Sequence, residues 1–202
     1  MDKLVKKTIE AYDKNAKTYF NSTFNKISQY HLITFISYLK GKKILDVGSG
    51  SGRDVNYFKE EGYSVVGIDL SSELIKEAKR NIKGNIKLMD MEKIEYKDKT
   101  FDGIWCCASL LHVPRKKVPK VLKEFKRVLK PNGIIYISVK EGVGEKLAPS
   151  KKLNESPVLT VYYSQIEFEK ILRENEFKIL KYDTETIDET TWINAYVKLI
   201  DN

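Results

Sequence analysis

Asp46, Gly48, Gly50 and Gly52 alternate along Lys43-Ile44-Leu45-Asp46-Val47-Gly48-Ser49-Gly50-Ser51-Gly52-Arg53-Asp54, and Asp69 closes the later run Val65-Val66-Gly67-Ile68-Asp69. Residues of these types at this spacing can hold a nucleoside. The apolar run Ile44, Leu45, Val47 reads as a buried strand, and the glycines allow a tight turn with backbone brought close to a ligand. A helix should start at that turn, with unpaired N–H groups at its N-terminus for a negatively charged ligand group. Asp69, 21 residues after Gly48, ends the next strand, where a carboxylate can accept both ribose hydroxyls. The plainer alternative is a generic glycine-rich strand-to-helix turn.

The spacing separates two kinds of nucleoside. A dinucleotide turn needs G-x-G-x-x-G, but the position three beyond Gly50 is Arg53, so the glycines run G-x-G-x-G. Asp46, two places before the first glycine, would also put a carboxylate close to a pyrophosphate. A nicotinamide oxidoreductase is disfavoured on both counts. S-adenosylmethionine has no phosphate and carries a sulfonium and an ammonium, so acidic groups around it are favourable. On these residues the sequence resembles the class I S-adenosylmethionine-dependent methyltransferases, small enzymes of the methyltransferase-11/25 type, with Asp46 to Gly52 as their first motif and Asp69 as their ribose-binding acid.

The resemblance is strongest over 43–139 and implies further site residues. Gly48, Ser49 and Gly50 would form the loop at the cofactor, Leu70 would follow the ribose acid, and the product would be S-adenosylhomocysteine. Leu88-Met89-Asp90-Met91 resembles the family's third strand end, which implies Asp90 on the adenine amino group and Met91 on the ring; a strand-end turn acid is the alternative for Asp90. Phe101 to Val113 looks like the fourth strand and its loop, with backbone around Cys107 and Ala108 facing the methionine part of the cofactor. Tyr12 to Tyr19 resembles a lid segment whose tyrosines close over the cofactor, although Tyr12 and Tyr19, seven apart on one helix face, would equally suit core packing. Arg53 stands where it could meet the cofactor carboxylate, or be an exposed first-turn residue. His112 is the first candidate for a general base, needed only if the acceptor is protonated at neutral pH; the alternative is that it shapes the pocket. His31 reads as surface or core. Tyr162, Tyr163 and Trp192 could reach the cleft mouth and stack on an acceptor ring, or simply be β-forming aromatics.

The elements that must position these residues alternate. Amphipathic helices over 3–19 and 28–39 precede strand 43–47, helix 53–61, strand 64–69, helix 72–81, strand 86–89, strand 101–108, helix 116–129 and strand 133–139. Segment 140–163 has no periodicity and holds Gly142, Gly144, Pro149 and Pro157, so it reads as an irregular loop. Ser164-Gln165-Ile166-Glu167 is a capping box opening a helix, and 177–184 and 191–199 read as two last strands paired antiparallel. The expected fold is α/β: a Rossmann-like doubly wound seven-stranded sheet, mostly parallel with an antiparallel C-terminal edge strand, and helices on both faces. A chain of 202 residues suits a single domain: a helical lid over 1–40, a cofactor-binding core over 41–139, and a substrate loop with the C-terminal helix and strands over 140–202.

Thirty-six Lys and Arg against 28 Asp and Glu give a net charge of +8, which permits an anionic partner without demanding one. Much of the excess lies on one predicted helix face, at Lys116, Lys117, Lys120, Lys123, Lys126 and Lys130, where solvated lysines are usual. The only cysteines, Cys106 and Cys107, are adjacent in an apolar strand, which suits a reducing compartment and no metal site. No run approaches the roughly 20 apolar residues of a membrane span, so a cytoplasmic location and no membrane partner are expected. Methylation of oxygen or nitrogen in a small-molecule acceptor is the expected activity. A tRNA-modifying methyltransferase and a non-catalytic cofactor-binding partner subunit stand as alternatives, with nucleic acid the less favoured partner. No Asn-Pro-Pro-Tyr-like signature follows the fourth strand, which disfavours methylation of amide or exocyclic nitrogen in nucleobases. The sequence leaves the oligomeric state open.

Overall fold

The computed structural model describes residues 1–200, with Asp201 and Asn202 outside the described residues. Five parallel strands, β1 (Lys43–Val47), β2 (Ser64–Asp69), β3 (Asn85–Leu88), β4 (Phe101–Cys107) and β5 (Leu129–Glu141), lie in the order β3-β2-β1-β4-β5. The order reverses between β1 and β4, which opens a crevice beyond their carboxyl ends. The last four of the five residues of β1 and the centre of β4 are buried, as expected of strands covered by helices on each side. Helices α4 (Arg53–Glu60), α5 (Ser72–Asn81) and α6 (Val118–Val128) supply the cover. α6 buries Val118, Val121, Leu122, Phe125 and Val128, a strict helical stripe. Lysines on and beside it are tied into local ion pairs, Lys117 at its N-cap and Lys120 to Glu92, and Lys126 to Glu176.

Three helices precede the sheet. α1 (Lys3–Lys14) is capped by Asp2, whose side chain accepts from the Leu4 N–H at 2.9 Å. The single helix expected over 3–19 is broken: α2 (Ala16–Thr23) starts anew after Asn15, whose buried amide donates to the Ala11 carbonyl and to Ser156 Oγ. That amide competes with the helical ladder for a carbonyl, and the helix bends there. α3 (Gln29–Tyr38) packs Leu32 and Phe35 on the opposite side of the sheet, beside Trp105 and Tyr136.

The segment 140–163 corrects the expectation of an irregular loop. It forms a hairpin, β6 (Glu145–Ser150) and β7 (Ser156–Tyr163), with β7 pairing parallel to the end of β5 at Lys140–Tyr162 and Glu141–Tyr163. Leu159, Val161 and Tyr163 enter the core at a spacing of two, while Pro149 faces Pro157 across the far end of the ladder. Prolines at a strand end are tolerated where no ladder hydrogen bond is needed, and here they obscure the strand signal. After α7 (Gln165–Glu174), capped by Ser164, come β8 (Phe177–Ile187) and β9 (Thr190–Leu199). β9 runs antiparallel between β5 and β8, so the antiparallel strand lies one position in from the edge that β8 forms. The described sheet therefore carries the seven expected strands plus β6 and β7.

Candidate functional site

Gly48 and Gly50 have φ of +70° and +51°, and the turn they make carries the chain from β1 to α4 across the crevice. A Cβ on Gly48 would fall 2.3 Å from Ser109 Cβ, so this turn closes tightly on the loop after β4. Gly52, at the start of α4, performs the helix-to-sheet approach that a third dinucleotide glycine would perform: a Cβ there would lie 2.5 Å from Ile82 and 2.9 Å from Ile86. Asp69 fixes the loop from the neighbouring strand. Its Oδ2 accepts from the Gly50 N–H and its Oδ1 from the Ser71 N–H, each at 2.8 Å. Burial raises its pKa, and these backbone donors oppose the shift. A carboxylate has about four acceptor positions, so acceptor capacity remains for a ligand.

Above this turn α1 and α2 roof a cavity enclosing about 850 Å³ of space, part of it open to solvent. Tyr19, Gly48, Gly50, Asp69, Leu70, Asp90, Met91, Cys107 and His112 all line it, as does Tyr12. Three expected residues do not. Asp46 and Ser49 lie buried behind the glycine turn, with Asp46 Oδ2 and Ser49 Oγ lacking a hydrogen-bond partner among the described residues. Burial and then neighbouring Asp54 push the Asp46 carboxyl well above the usual range. Arg53 turns away into a two-point pair with Asp54, at 2.7 and 2.8 Å, and donates to the Lys26 carbonyl. Although burial opposes its charge, Asp54 raises its pKa, and Asp54 is itself held by the Trp105 indole N–H at 2.9 Å.

His112 has one defined protonation state. Its Nδ1 lies 2.5 Å from the Leu159 carbonyl, which can only accept, so Nδ1 carries the proton and Nε2 presents a lone pair. That lone pair accepts from the Tyr12 hydroxyl at 3.0 Å. Burial pushes the His112 pKa down to about 4, which keeps the ring neutral at neutral pH. Tyr12 stands edge-on to both Tyr19 and His112, at 5.2 and 5.6 Å between ring centroids, and burial raises the pKa of both tyrosines, Tyr19 to about 12. The thiol of Cys107 is raised to about 11 by burial and that of Cys106 to about 12, so both are protonated.

Other expectations are relocated. Tyr163 is buried in the core against Phe168, with Arg115 over its ring, rather than at the cleft mouth. Tyr162 lines a separate shallow depression with Lys140 and Glu141, and Trp192 lies beneath the Lys140 ammonium. His31 is core, bonded to Tyr196 and Glu185. Sequence reasoning missed Asp13, whose carboxylate accepts from Ser71 Oγ at 2.6 Å and from the Glu73 N–H at 3.1 Å and so ties α1 to the start of α5. Its partners lie about 60 residues away, and no local pattern marks them.

The donor set suits a nucleoside: space with an apolar wall at Met89 and Met91, and carboxylate acceptors at Asp69 on the glycine turn. Residues 45–137 match the model of a methyltransferase domain family. Phosphoethanolamine N-methyltransferase 3 of Arabidopsis thaliana is 38% identical over 48% of this chain and 21% of its own length. A ubiquinone biosynthesis O-methyltransferase of Pasteurella multocida is 28% identical over 68% of this chain and 66% of its own. The chain thus spans less than two thirds of the length of these curated relatives. The crystal structure of Burkholderia thailandensis 1,6-didemethyltoxoflavin-N1-methyltransferase, with bound S-adenosylhomocysteine, shares the fold at a TM-score of 0.76 and 20% identity, covering 98% of this chain and 88% of that one.

Proposed function

The core of this chain, residues 45–137, belongs to the class I S-adenosylmethionine-dependent methyltransferases, with S-adenosylmethionine as cofactor, and from that premise we propose that the protein methylates an oxygen or nitrogen atom of a small-molecule acceptor. The observation that carries this reading is the neutral His112, its Nε2 lone pair turned into the cavity beside Cys107. Bound S-adenosylmethionine supplies an electrophilic methyl on a sulfonium.

The chain's own residues then do three things. Asp69 accepts from the ribose hydroxyls while holding the glycine turn in place, and Asp90 and Met91 receive the adenine at the far end of the cavity. His112 Nε2 takes the proton of an acceptor O–H or N–H, exchanging its bond from Tyr12 for one from the acceptor. α1 and α2 exclude water above, so that positioning supplies much of the rate. The small-molecule acceptors in the relatives' names, one methylated at nitrogen and one at oxygen, support the acceptor class.

The test is a titration with S-adenosylhomocysteine, in wild type and Asp69→Ala, followed by transfer of labelled methyl to a panel of alcohols, phenols, amines and tRNA. Micromolar binding lost in the variant, with label on a small molecule, is the expected result. Label on tRNA alone, or cofactor binding without any turnover, overturns the acceptor assignment.

A further inference from the structure

Leu159 lies mid-strand in β7, fully buried, yet both of its backbone groups bond outside the sheet. In an antiparallel ladder alternate residues turn their N–H and C=O away from the partner strand, here away from Leu147 of β6. The other edge of β7 meets β5 only at Lys140–Tyr162 and Glu141–Tyr163, beyond Leu159. Side chains close the gap instead. The Leu159 N–H donates to Thr8 Oγ1 at 2.8 Å, and the Leu159 carbonyl accepts from His112 Nδ1 at 2.5 Å. Thr8 can only accept from Leu159, because its own hydroxyl proton goes to the Leu4 carbonyl at 2.9 Å.

His112 Nε2 returns the path to α1 by accepting from Tyr12, one turn beyond Thr8 on the same helix face. Thr8, Leu159, His112 and Tyr12 therefore close a ring. The rest of α1 follows β7 in step: Ala11 packs with Val158 and Leu153, and Asn15 donates to Ser156 Oγ while accepting from Asn154. Thr8, Ala11 and Asn15 share one face and meet Leu159, Val158 and Ser156 in turn. The first helix and the β6–β7 hairpin are thus one body, and both ring nitrogens of His112 are held from it.

We propose that Thr8 is a positioning residue for His112: by holding the Leu159 backbone it keeps a carbonyl opposite Nδ1, and that carbonyl fixes the tautomer that leaves Nε2 basic. Which nitrogen of a neutral imidazole carries the proton is set by the hydrogen bond its ring makes there. The roof over the cavity and the orientation of the base are then a single arrangement. This rests on the reading of His112 as general base and extends it to a residue that takes no proton itself.

The test is NMR of protein saturated with S-adenosylhomocysteine and isotope-labelled in its histidine nitrogens, which reports the protonated ring nitrogen of each of the two histidines. The signals lost in His112→Gln identify that ring. The expected result at neutral pH is the Nδ1–H form alone in wild type and in Thr8→Ser, which keeps the hydroxyl. Thr8→Val leaves the Leu159 N–H without its acceptor and should show both tautomers. With an acceptor labelled in the panel above, kcat should fall about tenfold to a hundredfold in Thr8→Val, with KM within about twofold, and return in Thr8→Ser. Should Thr8→Val not fold, the wild-type spectrum still decides, since an Nε2–H ring there overturns the proposal. A Thr8→Val protein that keeps the wild-type tautomer, or a Thr8→Ser protein that loses it, overturns it as well. Wild-type kcat in His112→Gln would instead overturn the general-base reading on which the proposal rests.

Discussion

The Tyr12 hydroxyl donates to His112 Nε2 across 3.0 Å, joining the first helix to the loop after β4 over a separation of 100 residues. This bond occupies the imidazole nitrogen that would serve as the base. Tyr12→Phe should remove about 1 kcal/mol of stability, because it deletes one neutral hydrogen bond, and should leave S-adenosylhomocysteine affinity within about twofold. His112→Gln should retain cofactor binding yet lower kcat by about 10²–10⁴ if the ring takes the acceptor's proton. Equal kcat in His112→Gln and wild type would reduce His112 to a wall of the pocket.

The pH dependence follows from the same ring. His112 is pushed from 6.5 down to about 4 by burial, so between those values the unfolded chain binds the proton and the folded one does not. Its contribution to stability is complete above about pH 6.5 and is lost as pH falls toward 4. Urea midpoints recorded from pH 7 to pH 4 should therefore fall more steeply for wild type than for His112→Gln. Activity should lose no base between pH 8 and pH 5, whereas an ordinary histidine would begin to protonate near 6.5. A limb at 6.5 assigned to His112 would contradict the buried neutral ring.

Asp69 couples cofactor binding to loop order. Its two oxygens hold the Gly50 and Ser71 N–H groups, so Asp69→Ala strands two donors, and about 2 kcal/mol of stability should go with the ribose contact. Asp69→Asn keeps one oxygen acceptor and should lose less stability, while still weakening S-adenosylhomocysteine. Titration calorimetry beside urea unfolding separates the two effects. If Asp69→Ala unfolds at the wild-type midpoint, the carboxylate does not organise the turn.

The sequence made the core legible because there every signal is local: the first two strands, the glycine turn and Asp69 fall within 27 residues of one another. What it hid depends on distant partners. Asp13 finds Ser71 and Glu73, and Asn15 finds Ser156 and Asn154, through contacts that only the assembled roof creates. The β6–β7 hairpin was hidden for a different reason. Pro149 and Pro157 oppose one another at its closed end, where turn residues read as loop, and the alternation of Leu159, Val161 and Tyr163 begins only beyond them. Arg53 was misplaced because its neighbour Asp54, unremarkable in sequence, is fixed by Trp105 and captures it.

Gly48 and Gly50 offer the sharpest separation of fold from function. Both have positive φ, so an alanine at either should cost about 1–2 kcal/mol for the left-handed backbone alone. At Gly50 little else opposes it, since the nearest atom to a new Cβ is Tyr19 Cε1 at 3.5 Å. At Gly48 the methyl would meet Ser109 Cβ at 2.3 Å, and Ser109 cannot retreat freely because its hydroxyl donates to the Val47 carbonyl at 2.6 Å. Gly48→Ala should therefore cost about 1–3 kcal/mol more than Gly50→Ala, as overpacking does. Gly50→Ala should still fold, yet bind S-adenosylhomocysteine poorly, because its methyl enters the cavity under Tyr19. Urea unfolding and calorimetric titration of both variants check this. Equal stability of the two would mean that the turn is not pressed against the β4 loop as described, and full cofactor affinity in Gly50→Ala would place the ligand elsewhere in the cavity.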